Sequence, residues 1–250
     1  MATIEIQTQD GNAEAYLARP EGEGQQHPGV LFFIDAIGLR PQIEKMADRI
    51  AGWGYVVLAP NLFFRTGTAD ELAPKSDLRE QGAREEFFAT VAPRMQEITA
   101  ARMDADTTVF LDALQAQPGV VAPGPVGVTG YCMGARYATR AAGTNADRVA
   151  AVGGFHGGRL VTDAADSPHL QLANARAQFV YGHADNDASM PPEAVEALGA
   201  ELAAQGLVAT NAIYPGAAHG YTMADTSTYD ETGSERHFTE LKALLDRTLA

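Results

Sequence analysis

Two short stretches, Gly-Val-Leu-Phe-Phe-Ile at 29–34 and Tyr-Val-Val-Leu-Ala at 55–59, are apolar along almost their whole length. A strand with one wet face alternates polar and apolar side chains; a strand without that alternation has to be covered on both faces. Between the two stretches, residues 41–53 set Ile43, Met46, Ala47 and Ile50 at the spacing of a helix with one buried stripe. Strand, helix and strand in that order, with both strands doubly buried, require a parallel sheet sandwiched between helices.

The same alternation continues to the C-terminus. Residues 126–129, 149–155, 178–181 and 210–214 read as strands, and 133–142, 191–205 and 236–249 as helices. Residues 2–7 and 13–19 flank Asp10-Gly11-Asn12, a hairpin signal, so an antiparallel pair is expected to open the fold. Residues 61–83 lack periodicity, and long excursions of that kind usually form lids or binding loops. Helical patterning returns from Arg84 and again over 95–114, with Pro93 expected to separate the two. No repeat, linker or low-complexity segment interrupts the chain. The expectation is one α/β domain over residues 1–250, with a mostly parallel central sheet, helices on both faces and an antiparallel N-terminal hairpin.

Charge narrows the partners. Eighteen basic against 32 acidic residues leave a net charge of −14, unsuited to displacing counterions from nucleic-acid phosphates or to docking on anionic membranes. The longest apolar runs fall far short of a membrane span, and the opening Met-Ala-Thr-Ile-Glu-Ile lacks the features of a secretory leader. A cytoplasmic protein is therefore expected, a monomer or small homo-oligomer acting on a small molecule. Cys132 is the only cysteine, which excludes an internal disulfide and any site needing several thiolates. No glycine-rich dinucleotide or phosphate loop follows a strand, so no cofactor is expected. Asp185, Asp187, Ser189 and Glu196 fall at calcium-loop spacing, but Met190 stands where that loop needs glycine, and no metal is expected.

The chemistry concentrates at Gly130-Tyr131-Cys132-Met133-Gly134, between a strand and a helix. Such a turn strains its central residue and lifts that side chain above the sheet, while the flanking glycines remove Cβ atoms that would collide. The N-terminus of the following helix favours a thiolate and a developing oxyanion. No serine has an equivalent setting. A nucleophile of this kind needs a base and a group to orient the base, arriving later in the chain in the order acid, then histidine. Gly182-His183-Ala184-Asp185-Asn186-Asp187-Ala188-Ser189-Met190-Pro191 follows one strand, and Pro215-Gly216-Ala217-Ala218-His219-Gly220-Tyr221 follows the next. His219 is the candidate base, and Asp185 and Asp187 compete as its partner. His156 and His183 follow strand ends and are candidate pocket residues. His27 and His237 lie in polar surroundings and His169 in an irregular loop.

With these residues in place, the chain resembles the dienelactone hydrolases (carboxymethylenebutenolidases) of the α/β-hydrolase superfamily. The elbow at 130–134 resembles that family's cysteine elbow, residues 29–60 its first buried strand, helix and second strand, Ala184-Asp185-Asn186-Asp187 with Met190-Pro191 its acid loop, and His219-Gly220-Tyr221 its histidine loop. The resemblance runs from about residue 13 to the C-terminus. It implies Asp187 as the catalytic acid, because the family's aspartate stands four residues before the proline. It implies for Asp35 the role of a thiol-activating acid, although the family usually has the longer glutamate there. The oxyanion hole is expected to be the backbone N–H groups of Met133 and Ile37. The family also binds its substrate's carboxylate with arginines, one shortly after the histidine; here His219-Gly220-Tyr221-Thr222-Met223 contains none. Arg65 or Arg84 is a candidate replacement, with Phe63, Phe64, Tyr131 and Tyr221 as candidate pocket walls. The expected activity is hydrolysis of an ester or lactone through a Cys132–His219–Asp187 triad and an acyl-enzyme. A ligand-binding or thiol-sensing protein and an acyl-transfer enzyme are the alternatives.

Overall fold

The computed structural model describes residues 2–22 and 24–249. Eight strands form one sheet: β1 (Ala2–Thr8), β2 (Gly11–Ala18), β3 (Gly29–Phe33), β4 (Val56–Pro60), β5 (Val126–Tyr131), β6 (Val149–Phe155), β7 (Gln178–Ala184) and β8 (Ala209–Tyr214). Their spatial order is β1-β2-β4-β3-β5-β6-β7-β8. β1 and β2 pair antiparallel with each other, and β2 antiparallel with β4; every later neighbour is parallel. All residues of β3 and β4 are buried, as their unbroken apolar runs require.

The helices are α1 (Pro41–Ala51), α2 (Ala69–Leu72), α3 (Ala83–Gln96), α4 (Ala100–Gln115), α5 (Gly134–Thr144), α6 (Pro192–Ala204) and α7 (Glu231–Leu249). Helix α1 buries Ile43, Met46, Ala47 and Ile50, the stripe read from the sequence. It shares a face of the sheet with α7, joined to it by Trp53 edge-on to Phe238 at 5.9 Å, while α4 and α5 pack together against β3. The strand order reverses between β3 and β5: the connection after β3 leads to β4 on one side, and β5 lies on the other. The crevice beyond the carboxyl ends of strands at such a reversal is where α/β sheets bind ligands.

Several local expectations shift. The hairpin turn is Gln9-Asp10 rather than 10–12, because Gly11 already pairs with Thr8 and takes a φ of 131° there. Pro93 lies inside α3 instead of ending it. The carbonyl it leaves without a partner is that of Ala89, on the exposed face, where water can satisfy it. The break comes after Gln96, where the Thr99 side chain accepts from Arg102 N and caps α4. A 3-10 helix over Pro168–Asn174 and the short α2 have no counterpart in the sequence reading.

His237, read from sequence as a surface residue, is fully buried between α7 and the sheet. Its Nδ1–H donates to the Ser234 carbonyl, and its Nε2 is paired with Tyr131 Oη at 3.3 Å. The polar neighbours of residue 237 face outward, but α7 turns this position onto Phe155, 4.7 Å away between ring centres. Burial drags the imidazole down to about 3, against a smaller upward pull from the Ser234 carbonyl. Below about pH 6.5 the unfolded chain therefore takes up a proton here that the native state does not, and stability falls with falling pH by about 1.4 kcal/mol per unit. His237→Gln is expected to narrow the stability difference between pH 7 and pH 5 by about 2 kcal/mol, read from urea unfolding at both values. An unchanged difference would mean that the folded core accepts the proton.

Candidate active site

β5 runs into α5 through Cys132 and Met133 alone, and Cys132 takes the left-handed φ of 54°. Both flanking glycines are obligatory on distance: a Cβ at Gly130 would lie 2.1 Å from Gly134 O, and one at Gly134 would lie 2.3 Å from Phe33 O. Cys132 N–H donates to Phe155 O at 3.1 Å, which fixes the turn against β6. Met133 is the N-cap of α5, so its N–H has no acceptor within the helix.

The loops after β7 and β8 bring the other groups. His219 Nδ1–H donates to Asp187 Oδ2 at 2.6 Å, and Asp187 Oδ1 accepts from Ser189 N at 2.8 Å and Ser189 Oγ at 2.7 Å. Burial pushes the Asp187 carboxyl up, but the hydrogen bonds from His219 and Ser189 outweigh it and hold it below its ordinary value. Burial alone would also lower His219; the neighbouring Cys132 sulfur and the Asp187 carboxylate overcome it and lift the imidazole to about 10. Asp185 is occupied elsewhere: it accepts from Gly216 N at 2.9 Å and donates its own N–H to Ala217 O at 2.7 Å, tying the two loops together.

Cys132 and His219 line one small cleft with Asp35, Ile37, Arg84, Phe88, His156 and Met223. Its volume is about 10 Å³, room for one water at most. Arg84 and Phe88 of α3 form part of its wall, the guanidinium resting 4.8 Å from the Phe88 ring centre and 3.4 Å from His219 O. A substrate therefore has to displace some of the lining side chains.

Asp35 faces the cleft with its oxygens already engaged. Arg40 donates to Oδ1 at 2.7 Å and Oδ2 at 3.1 Å, and Oδ1 also accepts from Ile37 N at 3.0 Å and Gly38 N at 3.3 Å. Arg40 continues to Asp225, in the segment after His219, at 2.6 and 3.2 Å. The carboxylate expected to take the thiol's hydrogen bond is thus clamped by an arginine, and the Ile37 N–H expected to face an oxyanion is held by that same carboxylate. Arg40 and Asp225 escaped the sequence reading. A usable signal was present: a cation directly before the Pro41 start of α1 opposes the helix dipole and needs a reason.

His156 lies against His219, 5.3 Å between ring centres, with Nε2 paired to Thr222 Oγ1 at 2.8 Å. The other candidate pocket residues stand away from the cleft. Tyr131 is stacked between Phe32 and Phe155 on the α7 side of the sheet. Arg65 clamps Asp106 at 2.7 and 2.8 Å and Asp10 at 2.7 Å, covering Phe64 at 4.3 Å. Phe63 is buried beneath Arg94. His183 pairs with Asn211 at 2.7 Å and lies parallel to Tyr181, and the Tyr221 hydroxyl donates to Gly182 O at 3.0 Å. The strand pleat turns Tyr131 and His183 away from the cleft, and ion pairs hold Arg65 elsewhere.

The family model for dienelactone hydrolases matches residues 13–249. A curated relative from Escherichia coli (strain K12) is 27% identical over 238 residues, spanning 92% of this chain and 80% of its own. Another, from Synechocystis sp., is 22% identical over 249 residues, spanning 98% and 96%. Both carry the name "Putative carboxymethylenebutenolidase". Among solved structures, a dienelactone hydrolase-like promiscuous phosphotriesterase from metagenomic libraries shares the fold with a TM-score of 0.81 at 22% identity, covering 100% of this chain and 99% of that one.

The pairing of His219 with Asp187 has a consequence that needs no substrate. His219→Asn and Asp187→Asn are expected to slow alkylation of Cys132 by iodoacetamide at pH 7 at least tenfold, because the sulfur loses the imidazole beside it or that imidazole's support. Asp185→Asn is expected to stay within about twofold of wild type. Mass spectrometry of the adduct over time measures all three, and equal effects of the two aspartate variants would dissolve the distinction between them.

Proposed function

The chain belongs to the dienelactone hydrolase family, and we propose that it hydrolyses an ester or lactone with Cys132 as nucleophile, His219 as general base and acid, and Asp187 as the group that orients His219. The observation that carries this reading is the 2.6 Å His219–Asp187 hydrogen bond beside a cysteine held at φ 54° in the same cleft. His219 takes the Cys132 proton, and the sulfur attacks the carbonyl carbon. The carbonyl oxygen becomes an oxyanion and meets the Met133 N–H and, once Asp35 Oδ1 gives it up, the Ile37 N–H. Collapse of the intermediate breaks the carbon–oxygen bond, and His219 returns the proton to the departing alkoxide. Water, deprotonated by His219, then attacks the thioester, releasing the carboxylic acid and restoring the thiol.

The charges around the cleft bear on the substrate. Arg40 is saturated by two carboxylates. Arg84 has no carboxylate within 4.0 Å among the described residues and lines the cleft itself, so it fits the task of meeting a carboxylate on the substrate. One free guanidinium suits a substrate with a single carboxylate. Its displacement from Phe88 would open the closed cleft in the same movement.

Wild type is expected to consume both a dienelactone and a short aryl ester, and Cys132→Ala neither; turnover surviving in that variant would remove the cysteine from the mechanism. Arg84→Met should raise KM for the carboxylated lactone about 10- to 100-fold while leaving the neutral ester within about threefold. Equal changes for both substrates would show that Arg84 does not read the carboxylate.

A further inference from the structure

Arg94, in the last turns of α3, is 7% exposed and has no carboxylate within 4.0 Å among the described residues. Its guanidinium lies 4.7 Å from the Phe63 ring centre and 5.1 Å from that of Phe87. A buried cation without a counter-ion is expensive to keep, and burial does lower its proton affinity. What holds it is backbone: it donates to Ala36 O at 2.9 Å, Ile37 O at 3.4 Å and Leu72 O at 3.3 Å.

The first two of these acceptors matter for the chemistry. In a trans peptide the C=O and N–H point in opposite directions. With the Ala36 carbonyl turned to Arg94, the N–H of the same peptide, that of Ile37, points the other way, onto Asp35 Oδ1 at 3.0 Å and toward the cleft that Asp35 and Ile37 both line. The next peptide repeats the arrangement, with Ile37 O toward Arg94 and Gly38 N toward Asp35 Oδ1 at 3.3 Å. A full positive charge therefore sits behind two peptides whose N–H groups face the cleft. Charge at the carbonyl end of a peptide strengthens its N–H as a donor, since hydrogen bonds in a chain polarise one another.

We propose that Arg94 is a positioning residue for the oxyanion hole: by binding the Ala36 and Ile37 carbonyls from outside the cleft, it aims the Ile37 N–H at the reacting oxygen and strengthens it as a donor. Arg94 does not touch the substrate. Its place is in the wall of a separate cavity of about 670 Å³ on the far side of α3. At rest the Asp35 carboxylate occupies the donor; in the reaction the oxyanion takes that place.

This rests on the reading of Cys132 as nucleophile and Ile37 N–H as oxyanion donor, so the test uses two reactions of one sulfur. Acylation by an aryl ester builds an oxyanion, whereas alkylation by iodoacetamide does not. Arg94→Met is expected to slow acylation about 10- to 100-fold at nearly unchanged KM, somewhat less than outright loss of an oxyanion donor, while alkylation stays within about twofold. Arg94→Lys keeps the charge but loses the planar guanidinium, whose Nη2 bonds Ala36 O and Ile37 O while Nη1 is anchored on Leu72 O, and is expected to fall between Met and wild type. Should Arg94→Met fail to fold by circular dichroism, Arg94→Lys carries the test alone, with acylation slowed and alkylation kept. Acylation unchanged in the variants, or acylation and alkylation falling in parallel, would overturn the proposal. An acyl adduct mapping to a residue other than Cys132 in the wild type would instead overturn the nucleophile assignment.

Discussion

The arrangement depends on how closely two backbones approach where the strand order reverses. The first turn of α5 passes so near the end of β3 that a Cβ at Gly134 would stand 2.3 Å from Phe33 O. That contact sets Cys132 beside the Asp35–Gly38 loop, because one residue ends the approach on the β5 side and the other loop begins on the β3 side. It also forces the left-handed backbone at Cys132, a conformation a non-glycine residue adopts only when its surroundings leave no other. The buried runs of β3 and β5 supply the rigidity. Any relaxation of their pairing would move the elbow and the loop together.

Electrostatics inside the molecule run against its overall charge. A chain with a net charge of −14 sorts its arginines by partner. Arg40 and Arg140, both buried, and the half-buried Arg65 are held by carboxylates: Arg40 by Asp35 and Asp225, Arg140 by Asp104, and Arg65 by Asp106 and Asp10. These ion pairs join distant segments, and where they are buried they contribute geometry more than stability. Arg84 and Arg94 have no such partner among the described residues and lie on α3, one in the wall of the cleft and one behind the oxyanion loop.

Much of this was legible in the residues. The doubly buried strands, the α1 stripe and the elbow all follow from short-range steric rules, and the structure shows each of them. The two later loops follow β7 and β8, as the strand pattern implied, whereas Asp187 was set apart from Asp185 only by the family's spacing to the proline and by nothing in the residues themselves. The difference is tertiary: Asp185 meets Gly216 N, two residues beyond β8, while Asp187 meets His219. The aromatic residues misled for a related reason. Tyr131 adjoins Cys132 in sequence, but the strand pleat sends adjacent side chains to opposite faces, and its ring packs toward α7. The Arg40 link to Asp225 spans 185 residues, a distance at which no local pattern operates.

Helix α3 carries two demands that oppose each other. Its N-terminal half sets Arg84 and Phe88 in the wall of a cleft of about 10 Å³, where substrate has to displace some of the lining side chains. Its C-terminal half holds Arg94 against the Ala36 and Ile37 carbonyls, and an oxyanion donor is useful only if it stays still. Few buried contacts tie the helix down, Val91 and Arg94 being its buried residues. Pro93 stands between the two demands. Without an N–H it leaves the Ala89 carbonyl unbonded, so the helix is weakest between the turn that lines the cleft and the turn that grips the oxyanion loop. The proline that looked like a helix end in the sequence lies instead inside α3, where it removes a hydrogen bond between the half that lines the cleft and the half that grips the loop.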